Sequence, residues 1–154
     1  MIRTATADDA EAVAQLHRAS ILRGCVADYS AAQIRAWVAV LTPDVYPRLI
    51  ESTYFRVALD DDAIAGFAAT TIGEELVNAV YVAPFAMGRG FGQALLADAE
   101  EALRTAGRQT ARLNATLNAA EFYRWLGYVD EGVASNRLPG GVALACVAMR
   151  KPLV

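Results

Sequence analysis

The run Val80-Tyr81-Val82-Ala83-Pro84-Phe85-Ala86-Met87-Gly88-Arg89-Gly90-Phe91-Gly92-Gln93-Ala94-Leu95-Leu96 decides how this chain reads. A β-branched and aromatic stretch stops at Pro84, three glycines follow at alternate positions, and a helical pattern starts at once. Alternating glycines let successive backbone N–H groups converge on one point, and a helix N-terminus adds partial positive charge there. The product is an anion site suited to phosphate or pyrophosphate, to which Arg89 can add a full charge. A glycine-rich connection with no ligand is the alternative, and it leaves three costly glycines unexplained.

Two common phosphate loops are excluded. The P-loop ends in Gly-Lys-Ser/Thr, and no such ending follows here. The dinucleotide fingerprint needs a glycine where Gln93 stands, and an acidic ribose ligand about twenty residues on. That region reads Gln109 to Arg112, so the acid is missing.

Outward from the loop, Phe91 to Ala106 is the strongest helix, with Leu95, Ala99 and Leu103 in register and Gly107 as its stop. Upstream, Ile2 to Thr4 predicts a short strand. Thr6 with Asp9 and Ser30 with Gln33 are capping boxes opening two helices. The first carries Val13, Leu16, His17 and Ser20 on one face, and the second Ile34, Trp37, Val38 and Leu41. Asp44 to Ser52 predicts another short helix after Thr42-Pro43. Tyr54–Leu59 and Ile64–Thr70 are strands joined by the Asp60-Asp61-Asp62 turn, and Glu75–Val82 is a third. Downstream come strand Thr110–Thr116, helix Asn118–Leu126, and strands Tyr128–Gly132 and Val142–Met149 around a Pro139-Gly140-Gly141 turn. Hairpins beside β–α–β crossovers imply a mixed sheet with helices on both faces.

Composition narrows the function classes. A length of 154 residues with 55% hydrophobic content fits one domain, which at this size buries about 68–70% of its unfolded surface. Fourteen basic against seventeen acidic residues give a net charge of −3, which argues against a general nucleic-acid binder. Thirteen Arg against the single Lys151, with abundant Ala, reads as the coding bias of a GC-rich bacterial genome. The longest uncharged stretch, Leu76 to Gly88, is thirteen residues, short of the roughly twenty that span a membrane. Asp8, Asp9 and Glu11 stand where a signal peptide needs apolar residues, so a cytoplasmic protein is expected. Cys25, Cys146 and the lone His17 build neither a disulfide framework nor a zinc site.

Tyr81-Val82-x-Pro followed by Gly88-Arg89-Gly90-Phe91-Gly92 and Ala94-Leu95-Leu96 resembles the acyl-CoA signature of the GNAT superfamily of N-acetyltransferases. Asn118-Ala119-Ala120-Glu121-Phe122-Tyr123-Arg124-Trp125-Leu126-Gly127-Tyr128 is similar to the family's second signature. The element order also matches, so the resemblance covers nearly the whole chain. One departure exists: the family pattern opens on Gln or Arg, and Met87 stands there. Because the family grips pyrophosphate mainly through backbone N–H groups, Met87 removes one side-chain contact without deleting the site.

The resemblance implies a single α/β (α+β) domain with a mixed, mostly antiparallel sheet of about seven strands flanked by helices. It implies transfer of an acetyl group from acetyl-CoA to a small-molecule or protein amine by direct attack in a ternary complex. No metal is implied, no nucleic-acid or membrane partner is expected, and a homodimer is a common assembly in the family. The cofactor contacts carried over are Val80, Tyr81, Val82, Met87, Gly88, Arg89, Gly90, Phe91, Gly92, Gln93 and Asn118. Two rivals stand beside this reading: an acyl-CoA sensor that has lost transfer, and a nucleotide-binding protein using the same loop.

Each chemical demand of the transfer has a candidate. An amine with a lysine-like pKa costs about 4–5 kcal/mol to deprotonate at pH 7, so something must take its proton. Glu74 and Glu75 lie where the family often draws a water-relaying glutamate; a solvated hairpin turn is the alternative. The departing thiolate needs an acid, and Tyr123 matches the family tyrosine; packing beside Phe122 and Leu126 is the alternative. The thioester carbonyl needs a donor, which in the family is a backbone N–H near Val80 to Val82. Asn118 reads either as a pantetheine contact or as a capping box with Glu121. Asp28 and Tyr29 fall where the family shapes its acceptor pocket, whereas His17 beside Leu16 reads as helix packing.

Overall fold

Strand alternation sorts the sheet's two faces before any helix is placed. The computed structural model describes residues 1–154. In it, β2 (Tyr54–Asp60) sets Phe55 and Val57 on one face and Arg56 and Ala58 on the other. β3 (Ala63–Thr71) returns antiparallel through the acidic turn, where Asp61 takes a left-handed φ of 54°. With β1 (Ile2–Thr4), β4 (Leu76–Val82), β5 (Thr110–Thr116), β6 (Val129–Arg137) and β7 (Ala143–Pro152), they form one seven-stranded sheet. Its order is β1-β2-β3-β4-β5-β7-β6, and every neighbouring pair is antiparallel except β4–β5. The mixed, mostly antiparallel sheet read from the sequence is the one observed.

Helices cover both faces. From α1 (Ala10–Gly24), Val13, Ala14 and Leu16 pack on Phe55, Val57 and Phe67. α2 (Ala31–Ala39) adds Ile34 and Trp37 against Leu144 of β7, and α3 (Tyr46–Ser52) adds Tyr46 to the core beneath α1. On the opposite face, α4 (Phe91–Thr105) sets Leu95 on Ala58 and Ala68, and packs Leu96, Ala99 and Leu103 with Leu113 and Met149. Burying each of those leucines stabilises the fold by about 1.5–3 kcal/mol. The helix stops at Gly107, φ 78°, where Arg108 N–H donates to the Leu103 carbonyl and Gly107 N–H to that of Arg104. α5 (Ala120–Trp125) follows β5 and joins the same core through Tyr123.

Four local readings need correction. Glu75 does not open the third strand: β3 runs on to Thr71, a one-turn 3-10 segment spans Ile72–Glu74, and Glu75 caps it at φ 56°. β6 does not stop at Gly132. That glycine, φ 130°, sits at a bulge after Asp130, and the strand continues to Arg137 along β7. The helix read over Asp44–Ser52 is a 3-10 turn, Pro43–Val45, feeding α3. Asn118 does not cap α5, which starts from Ala119 with no side-chain cap.

Candidate active site

The site begins where two strands separate. β4 and β5 pair in parallel only at Leu76 with Arg112 and Val77 with Leu113. Beyond Val77 the β4 edge has no β5 partner, so its N–H and C=O groups on that side face a gap instead of a ladder. Ser20 on α1 donates its hydroxyl to the Val82 carbonyl and fixes the far end of the strand.

The loop then delivers the chain to α4. After a 3-10 turn at Pro84–Ala86, Gly88 and Gly90 take φ values of 77° and 88°, which side chains resist. Six consecutive backbone N–H groups, Gly88 to Gln93, donate to no protein acceptor, and they stand at the positive end of a fifteen-residue helix. Gly92 lies within α4 with no left-handed φ, and a Cβ there would make only van der Waals contact, 3.4 Å, with Phe122 Cζ and Val82 Cγ2. The cradle is polarised toward an anion.

That cradle opens into a cleft of about 480 Å³ between β4 and β5, floored by α5. Tyr123 lines it, and its hydroxyl has no hydrogen-bond partner within the protein. Burial raises the Tyr123 phenol above its ordinary value, so the group holds its proton at neutral pH. Tyr81, also on the cleft, is raised for the same reason, with Tyr123 nearby adding to it. Asn118 lines the cleft and accepts from the Cys25 thiol at 3.4 Å.

A second cavity, about 360 Å³, lies alongside. It shares Asn78, Ala79, Tyr81, Asn114 and Thr116 with the first, so the two meet along the unpaired stretch of β4. His17 lines this second space, with Nδ1 hydrogen-bonded to the Tyr46 hydroxyl at 2.8 Å. Burial lowers its pKa to about 3, which leaves the ring neutral and too weakly basic to take a proton at neutral pH.

A family model for the acetyltransferase (GNAT) domain matches residues 25–150. The chain belongs to the GNAT acetyltransferase family. A search of curated protein sequences finds no significant match. Among solved structures, this acetyltransferase is similar to a protein from Rhodopseudomonas palustris described as a GCN5-related N-acetyltransferase: aminotransferase, class-II. The two are 27% identical over 99% of this chain and 94% of the other, with a TM-score of 0.92. The PaiA N-acetyltransferase of Thermoplasma acidophilum, solved with coenzyme A, matches at 20% identity, 99% and 98% coverage, and a TM-score of 0.77. YncA of Salmonella typhimurium, a proposed acetyltransferase solved with acetyl-CoA, matches at 20% identity, 100% and 94% coverage, and a TM-score of 0.72.

Against the sequence reading, the acetyltransferase gathers most cofactor candidates. Val80, Tyr81, Val82, Met87, Gly88, Gly90, Phe91, Gly92, Gln93 and Asn118 all line the larger cleft, and so does the acid candidate Tyr123. Arg89 does not. Its guanidinium turns back to Asp60, with bonds of 2.7 and 3.1 Å, and lies over the Phe91 ring. That pairing holds the Asp60 carboxyl below its usual range. Glu74 and Glu75 line neither cavity and stay on the outer turn. Tyr29 lines the smaller cavity, but its hydroxyl is engaged by the Ala145 carbonyl and Leu117 N–H; Asp28 beside it is exposed and lines neither. Asn78, Asn114 and Thr116 were missed, since nothing in strand periodicity marks a strand that loses its partner.

Proposed function

We propose that this acetyltransferase moves an acetyl group from acetyl-CoA to an amine by direct attack in a ternary complex. The observation that carries the reading is the row of six unpaired N–H groups opening onto a cleft that also holds an unpartnered, protonated tyrosine. The residues fit the co-substrate: the loop and α4 N-terminus suit its pyrophosphate, and Asn118 suits the amide-rich arm. The fold relatives solved with coenzyme A or acetyl-CoA support the same assignment.

Acetyl-CoA supplies an acetyl thioester, whose carbon gains a bond to the amine nitrogen and loses its bond to sulfur. The protein's own groups handle charge and protons. An N–H on the unpaired edge of β4 donates to the carbonyl oxygen as negative charge grows there. The ammonium gives its first proton to solvent before attack. Tyr123 then gives its proton to the departing sulfur, and the second proton, lost from the attached nitrogen, restores the Tyr123 phenol through cleft water. The smaller cavity receives the amine, because it meets the larger one at that edge.

Thermal unfolding tests the binding half. Acetyl-CoA at a hundred times its Kd stabilises by about 2.7 kcal/mol. That is a rise of about 5–10 °C in Tm for a chain this long. A rise with ATP or NAD and none with acetyl-CoA refutes the assignment.

A further inference from the structure

The smaller cavity has a wall chemistry that names its ligand class. Fourteen residues line it, and none is Asp, Glu, Lys or Arg. Four rings dominate: His17 lies over Tyr81 at 4.2 Å between centroids, and Tyr29 meets Trp37 edge-on at 5.5 Å. The polar groups of the wall are uncharged as well. Tyr29 has its hydroxyl committed to two backbone groups, and Asn114 and Asn136 offer only amides. Burial holds His17 neutral and raises the Cys146 thiol, so neither adds charge at neutral pH. Asp28, the nearest acid in sequence to Tyr29, is exposed and outside the lining.

We propose that the acceptor is a compact monoamine with an aromatic or apolar body and no charged group besides its amine. This rests on the acetyl-transfer reading above. A polyamine or aminosugar brings further ammonium groups, and a free amino acid brings a carboxylate. The reacting amine enters as the neutral base it must become before attack, whereas each of these keeps a further charge that meets no counter-charge in the cavity. An unpaired ion taken from water is strongly disfavoured. Size agrees. A cavity of about 150 Å³ accepts benzene, and this one, at about 360 Å³, has room for a ring with a short arm.

The test compares kcat/KM by thiol release from acetyl-CoA for phenethylamine, benzylamine, spermidine, free lysine and a short peptide with an N-terminal alanine. The two aryl-bodied monoamines are expected to exceed each of the others by roughly tenfold or more. Asn136→Asp, which adds a carboxylate at the cavity's exposed rim, is expected to narrow the gap to spermidine by about tenfold while leaving acetyl-CoA affinity unchanged. Equal or better turnover of spermidine, lysine or the peptide overturns the inference and leaves acetyl transfer standing. No turnover of either aryl-bodied amine, with acetyl-CoA binding measured by calorimetry, overturns it too. Absence of acetyl-CoA binding removes the transfer reading, and this inference with it.

Discussion

Gly90 and Gly107 stand at opposite ends of α4 in the same backbone region, with φ of 88° and 78°. A Cβ added at either meets nothing within 4 Å, so alanine at each position brings backbone strain without a clash. That strain costs about 1–2 kcal/mol. In a chain of this size it lowers Tm by about 2–8 °C, and by a similar amount in both variants. They separate on ligand. Only the Gly90 methyl lies among the free N–H groups of Gly88 to Gln93. Moving a pyrophosphate off one donor removes a charge-assisted hydrogen bond of about 1.5–3 kcal/mol. The corresponding loss is roughly 10- to 150-fold in Kd. Calorimetry with coenzyme A, beside melting curves without it, measures both quantities. Gly90→Ala should bind at least tenfold more weakly than Gly107→Ala at matched stability; equal affinities refute the loop's assignment.

Three further outcomes follow from named side chains. Tyr123→Phe deletes a hydroxyl with no protein partner, so Tm should stay within about 2 °C and coenzyme A affinity should hold while kcat falls by 10²–10⁴, order of magnitude; unchanged kcat removes it as the acid. Glu74→Gln and Glu75→Gln should each leave kcat/KM within about twofold, because both acids lie outside the two cavities; a tenfold loss restores a base role. His17 has a folded pKa of about 3 against its ordinary 6.5, so its neutral form favours folding in full above pH 6.5 and that support is lost as pH falls toward 3. Denaturant titration should therefore show stability falling by about 1.4 kcal/mol per pH unit from 6.5 to 4.5, with the slope flattened in His17→Asn; an unchanged slope contradicts the burial argument.

How much was legible in the sequence depended on whether the cause was local. The loop could be read because its geometry is set within six residues, by glycines whose spacing is visible without any partner. α4 was equally clear, with its leucines in register and Gly107 at its end. What escaped was set by distant chain. The ion pair of Arg89 with Asp60, which ends β2 and lies 29 residues earlier, is one such pairing. The smaller cavity draws His17 and Trp37 from α1 and α2, Asn114 from β5 and Asn136 from β6, a convergence no window contains. β6 was cut short because an exposed edge strand needs no alternation. Val133 on it is 82% exposed, and its pairing comes from the β7 backbone. The separation of β4 from β5, which makes the site, is a property of the closed sheet and has no side-chain signature.

Acetyl transfer itself is tested most directly by incubating the protein with acetyl-CoA and an aryl-bodied monoamine and measuring free thiol and N-acetyl product together. Thiol release that depends on the amine, matched mole for mole by the acetylated amine, is the predicted result. Saturation with acetyl-CoA that yields no amide with any amine, or thiol released at the same rate without amine, contradicts it.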